Sequence, residues 1–176
     1  MQLKIYTNPL RSASVLRQVK RVSVFAVLCL GWLTPATAAD LTELPKELKA
    51  KVELAKKSCE DFDNGVFSLE WGAVERVDLD GDLYRDWVLN EFGFVCSTAA
   101  SLYCGTGGCM SHFLVGDAAH SLLNKGWDVV ASGSESVLLT QVHSSQCGGI
   151  NPTPCVTASV WDPEKKTWRS TGAEWE

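Results

Sequence analysis

The sequence predicts an α+β domain, with one N-terminal amphipathic helix packed on a mostly antiparallel β-sheet and disulfides bracing both. Three observations predict it. Apolar residues recur at three- and four-residue steps from Leu44 to Cys59, the rhythm of a helix with one buried stripe. After Gly65 the rhythm changes to alternation, the rhythm of strands with one buried face. Six cysteines then follow a leader of the secretory type, and an even number in an exported chain reads as a disulfide framework.

The leader comes first in the chain. Residues 1–39 carry five basic residues (Lys4, Arg11, Arg17, Lys20, Arg21) and no acidic one. An apolar run from Val22 to Leu33 follows, then Pro35 and the small residues Ala36, Thr37, Ala38 and Ala39. A basic start, a short apolar core and an A-x-A end define a signal peptide, with cleavage expected after Ala38 or Ala39. The run is shorter than the roughly 18 apolar residues that a membrane anchor needs. Cys29 lies inside it after Leu28, where a lipoprotein signal wants a small residue, and no twin arginine is present. Sec-type export to a periplasm fits this pattern best. The expected organisation is a signal peptide over 1–39 and a single domain over 40–176, with no membrane anchor once the leader is removed.

Removing the leader leaves 21 acidic and 11 basic residues, a net charge of about −10. Phosphate backbones and anionic membrane surfaces repel such a chain, which excludes nucleic acid as a natural partner. By charge, the favoured partner is a cationic protein of the cell envelope.

Thr42 is placed to cap the helix, with Pro45 in its first turn. Asp63-Asn64-Gly65 ends it in a turn. Phe67, Leu69 and Trp71 then alternate with polar residues, and Val74 and Val77 lead into an acidic loop. Strands are expected around Trp87–Leu89, then around Phe92, Phe94, Val95 and Cys96, and over 112–115, 127–131, 137–143, 156–161 and 167–170. Asp162 to Lys166 turns the last pair. Ala118 to Leu123 reads as one or two helical turns. The tryptophans are expected to fill the core and to form cross-strand pairs such as Trp161 with Trp168.

Among the cysteines Cys59, Cys96, Cys104, Cys109, Cys147 and Cys155, spacing favours two short bridges. Cys147 and Cys155 flank a run of turn formers, and Cys104 and Cys109 flank Gly105-Thr106-Gly107-Gly108. Cys59 then joins Cys96. The alternative pairs Cys96 with Cys104 or Cys109 and gives the other to Cys59.

The most specific signal is Asp78-Leu79-Asp80-Gly81-Asp82-Leu83-Tyr84-Arg85-Asp86. Four carboxylates at loop positions one, three, five and nine converge in a tight turn, and they repel one another unless a cation lies between them. Calcium suits this donor set, being hard and tolerant of irregular geometry. Asp78, Asp80, Asp82 and Asp86 would offer side-chain oxygens and Tyr84 its backbone carbonyl, while Gly81 allows the bend. An EF-hand wants Gly at position six and Glu at twelve, where this chain has Leu83 and Leu89. The loop resembles instead the D-x-D-G-D-x-x-x-D loops of integrin-type FG-GAP repeats and their bacterial relatives. That resemblance implies a calcium-holding loop between two strands of a hairpin, with the four aspartates as ligands. Only one such loop is present, so no propeller is implied. The ion would pin the hairpin that presents Trp71 and Trp87 to the core. Its affinity is expected on the order of 10⁻⁴ to 10⁻³ M, as in extracellular modules. Together with Tyr103-Cys104-Gly105-Thr106-Gly107-Gly108-Cys109, with His143 and Cys147-Gly148, and with Pro154-Cys155 and Trp161, the pattern resembles small exported bacterial proteins of unassigned function.

No G-x-S-x-G, H-E-x-x-H, P-loop or G-x-G-x-x-G is present. His143 is followed by Ser144 on an expected strand, and adjacent residues there point to opposite faces. The glycines between Cys104 and Cys109 are read as closing a short disulfide loop. No catalytic residue is assigned. The sequence therefore points to a periplasmic, calcium-stabilised, disulfide-bonded interaction module of the envelope without catalytic activity. The alternative is a small envelope hydrolase acting on glycan or peptide through a carboxylate or His143.

Overall fold

One helix and eleven strands carry the fold in residues 41–170, the part of the chain that this computed structural model describes. The signal peptide expected over 1–39 lies outside the described residues. Helix α1 runs Lys46–Asp61 and buries Leu48, Val52, Ala55 and Cys59, at steps of four, three and four residues. Its start differs from the expectation. Pro45, not Thr42, holds the N-cap position, and its carbonyl accepts the Leu48 and Lys49 N–H groups at 3.1 and 2.9 Å. Proline's fixed φ suits that point, and its missing N–H is one the first turn leaves unpaired anyway. Beyond the helix, Asp63 and Asn64 take positive φ, the left-handed turn that their side chains tolerate.

The strands form three antiparallel sheets. In the first, β1 (Phe67–Leu69) pairs β4 (Phe94–Cys96). The second contains β2 (Val74–Val77), β3 (Asp86–Asn90), β5 (Cys104–Gly105), β6 (Gly108–Val115) and β7 (Ala118–Asn124). Its order is β2-β3-β6, with β5 and β7 both pairing β6. The third, in the order β11-β10-β9-β8, contains β8 (Gly126–Ser132), β9 (Glu135–Gln141), β10 (Val156–Asp162) and β11 (Thr167–Ser170).

The second sheet is the central layer, because its strands bury both faces. Leu89 and Leu114 join α1, Ala73 and Phe94 in one core. Their sequence neighbours Val88, Phe113 and Val115 point the other way, into a core with Leu138 and Trp161 of the third sheet. Period-two geometry on β3 and β6 thus serves two cores at once, which is why these strands read as near-continuous apolar runs. Phe67, Phe94 and Tyr103 meet edge to face at centroid distances of 5.3–5.8 Å in the first core. Trp161 and Trp168 are register partners 5.2 Å apart over the second, as expected.

Three further expectations fail. Phe92 lies not in a strand but in the 3-10 turn Glu91–Gly93, where it is exposed. Ala118 to Leu123 is strand, not helical turn, because seven register pairs with β6 override the local helix preference of Ala and Leu. Trp71 does not face the core. β1 stops at Leu69, and Trp71 stands on the following turn, 95% exposed.

The disulfides are Cys59–Cys96, Cys104–Cys109 and Cys147–Cys155. The first ties the last turn of α1 to β4, the second closes the β5–β6 hairpin, and the third closes the loop before β10. Three bridges of this kind belong to an oxidising, extracytoplasmic compartment. Among the described residues, no helix is long and apolar enough to cross a membrane.

Candidate metal centre

The acidic loop joins β2 to β3, and the register pair Val77–Asp86 closes it. Two features fix it from below. Leu79 is fully buried in the core beneath the third sheet, so the second loop residue acts as an anchor. Gly81 has φ +86°, and a Cβ there would lie 2.6 Å from the Ser134 carbonyl oxygen in the β8–β9 turn. Only glycine satisfies both the backbone angle and that close approach.

Carboxylates organise the rest of the loop by accepting its amides. The N–H groups of Gly81 and Leu83 donate to the two oxygens of Asp78 at 2.7 and 3.0 Å. Asp82 N–H donates to Asp80 at 3.1 Å, and Tyr84 N–H to Asp82 at 2.8 Å. Leu79 N–H donates to Asp86 across the loop at 3.0 Å. Each carboxylate oxygen keeps a second lone pair after accepting one such bond. This bonding holds Leu83 at φ +72°, a value rare for a branched side chain.

Asp78, Asp80 and Asp86 each offer an oxygen within 4.8 Å of the others, and all three are half-buried. Asp82 and Tyr84, also expected as ligands, stand outside this group. Both are exposed, although the Asp82 charge is felt at Asp80 and Asp86. The Asp86 carboxyl is pushed up to about 6, chiefly by burial and further by the charges of Asp80 and Asp82, against the lowering effect of the Leu79 and Gly116 N–H groups. Asp80 is also raised, first by burial, with the Asp82 and Asp78 charges adding to it. The cluster therefore lacks positive charge. Arg76, on the adjoining strand, is committed elsewhere: its guanidinium donates to the Arg85 carbonyl and lies 4.0 Å above the Trp87 ring. Three converging, partly desolvated oxygen donors with no cationic side chain among them match the chemistry of a hard divalent cation.

The other candidates separate from this centre. His143 is not on a strand. It caps a 3-10 turn over Ser144–Cys147, and its Nδ1 meets Ser145, with Oγ at 2.8 Å and N–H at 3.3 Å. Gly108, at φ +110°, packs so closely on Asn124 that any Cβ would run into the Asn124 carbonyl, so close packing accounts for that glycine. Sequence reasoning missed one polar row. His112 is buried, its Nδ1 2.6 Å from Ser121 Oγ and its Nε2 3.0 Å from Glu91 Oε1. His112 and Ser121 are register partners on β6 and β7. Reading the 118–124 segment as a strand was the signal that would have found them. No protein-family model, curated protein or solved structure matches the chain.

Proposed function

We propose that the chain is a calcium-braced, disulfide-bonded module of the bacterial cell envelope that works by binding, and that residues 1–39 export it to the periplasm. The observation that carries this reading is the convergence of Asp78, Asp80 and Asp86 in a loop whose own amides have already organised the carboxylates. Those three residues would hold the ion, and the ion would supply the missing positive charge and lock the β2–β3 hairpin. The acidic surface favours a cationic envelope protein as partner. Full-length chain expressed with its leader and recovered from the periplasm is expected to capture one stoichiometric protein from an envelope extract, with salt-sensitive association. Failure to retain any protein at low salt in millimolar calcium contradicts the proposed partner.

A pH dependence follows. Asp86 is raised above its unfolded value, so its contribution to stability is present at low pH and is lost as pH rises through about 6. Metal-free protein is therefore expected to lose melting temperature between pH 5 and pH 7. Calcium removes that loss, because the cation takes the place of the proton. The calcium-induced rise in Tm should be larger at pH 7.5 than at pH 5. An equal rise at both pH values removes Asp86 from the ligand set.

One observation supports a second reading, a small envelope hydrolase acting on glycan or peptide. Glu91 Oε1 is placed to accept a hydrogen bond from His112 Nε2, an arrangement that leaves Nδ1 to receive the Ser121 hydroxyl. That is the order of nucleophile, base and orienting acid. A fluorophosphonate that labels Ser121 in the wild type but not in His112→Gln supports this reading. Absence of labelling in folded protein rejects it.

A further inference from the structure

Two large aromatic side chains are displayed where a soluble protein gains nothing from them. Trp71 is 95% exposed and Phe92 74% exposed. Neither sits on a slack tip. The turn bearing Trp71 and the 3-10 turn Glu91–Gly93 bearing Phe92 are locked together. Glu70 N–H donates to the Gly93 carbonyl at 2.8 Å, Asn90 N–H to the Ala73 carbonyl at 2.7 Å, and Asn90 Nδ2 to the Gly72 carbonyl at 2.9 Å. Gly93 sits so tightly on Ala73 that a Cβ would lie 2.7 Å from it. The rings are thus presented from a rigid base, and both line a single groove of about 580 Å³, within the size range of small-ligand sites.

The floor of that groove is polar and organised. Asn90, almost fully buried, accepts from Trp127 Nε1 at 2.8 Å and donates to Glu75 Oε1 at 2.9 Å. Desolvation raises the Glu75 carboxyl above its ordinary value, and the Asn90 bond partly offsets that. Asp128, Ser111 and Thr106 also line the groove. Lys125 is the one cation in the lining, and its ammonium is bonded to Asn151 at 2.6 Å. The lining is therefore rich in hydrogen-bond acceptors and carries a single cation, which disfavours a polyanion. Hydroxyl-rich ligands with apolar ring faces match both halves: the faces stack on aromatic rings, and the hydroxyls donate to carboxylate and amide oxygens.

We propose that this groove is a glycan-binding site for a neutral or amino-sugar oligosaccharide, with Trp71 and Phe92 as stacking platforms and Glu75 and Asp128 as hydroxyl acceptors. The proposal deepens the binding-module reading and rests on it, but it uses none of the loop aspartates.

The test is titration of the full-length chain, purified from the periplasm, with tetra-N-acetylchitotetraose and with cellotetraose, followed by tryptophan fluorescence. A short peptide mixture is run in parallel. Saturable binding of at least one sugar is expected. Trp71→Ala and Phe92→Ala are each expected to weaken it about 10-fold or more, equivalent to about 1.4 kcal/mol. Both side chains are exposed, so both variants should keep the wild-type melting temperature. Glu75→Gln should weaken binding while leaving the fluorescence of the free protein unchanged. No binding of either sugar at 10 mM (about the weakest useful affinity), or binding undiminished in Trp71→Ala, overturns the proposal. So does peptide binding at the groove without sugar binding. Capture of a protein partner without sugar affinity sinks the glycan site and leaves the module reading standing. Sugar binding that persists in chelator with no protein captured does the reverse for the protein partner.

Discussion

Replacing Cys59 and Cys96 together with alanine is expected to lower the unfolding free energy by about 4 kcal/mol, against about 2 kcal/mol for the corresponding change at Cys104 and Cys109. The difference comes from the unfolded chain. The first bridge spans 37 residues and the second 5, and the entropy that a cross-link removes grows with the logarithm of the loop it closes. The native side points the same way. Cys59 is fully buried and Cys96 nearly so. Among the described residues theirs is the one disulfide that joins helix to sheet. Without it, α1 is held on the central layer by the stripe Leu48, Val52 and Ala55 and by the Tyr103 hydroxyl donating to the Ala55 carbonyl at 2.8 Å. Urea unfolding of the two double variants checks this. Equal losses would show that the long bridge does not hold the layers together.

Calcium at about 100 times its dissociation constant is expected to stabilise the wild type by about 2.7 kcal/mol. For a domain of this size that is a rise in Tm of roughly 8–12 °C. Asp80→Asn should abolish the rise. The amide oxygen of Asn can still accept the Asp82 N–H, so the turn survives while one charged ligand is lost. A crossover is expected between the two proteins. In chelator, Asp80→Asn melts at or above the wild type, because it removes one of the carboxylates that repel one another in the loop. In calcium it melts below. Thermal melts of both proteins in both conditions give the four numbers required. A wild type that melts identically with and without calcium contradicts the account.

Legibility in the sequence followed the range of the interaction. The helix could be read because its buried residues recur within one element, and the acidic turn because its aspartates lie within nine residues. Both short disulfides could be read from the turn formers they enclose. What the sequence hid depends on register or on elements brought together from a distance. The edge strand β7 looks helical until β6 is beside it. The row Ser121, His112 and Glu91 exists only in that register. The split between Asp86 and Asp82 has a similar origin. Asp86 belongs to a strand and is drawn partly inside, whereas Asp82 lies at the loop tip and stays in water. Alternation placed Trp71 in the core because the sequence does not show where β1 stops. The groove beside Trp71 was invisible because its two turns, about twenty residues apart, meet through long-range contacts of Glu70, Gly72 and Ala73 with Asn90 and Gly93.

The most direct measurement of the central claim is an anomalous-difference map from crystals of the exported chain grown in millimolar calcium. The account predicts one peak enclosed by the carboxylates of Asp78, Asp80 and Asp86, with oxygens at about 2.3–2.6 Å. Ordered water alone between those three side chains, at saturating calcium, would contradict it.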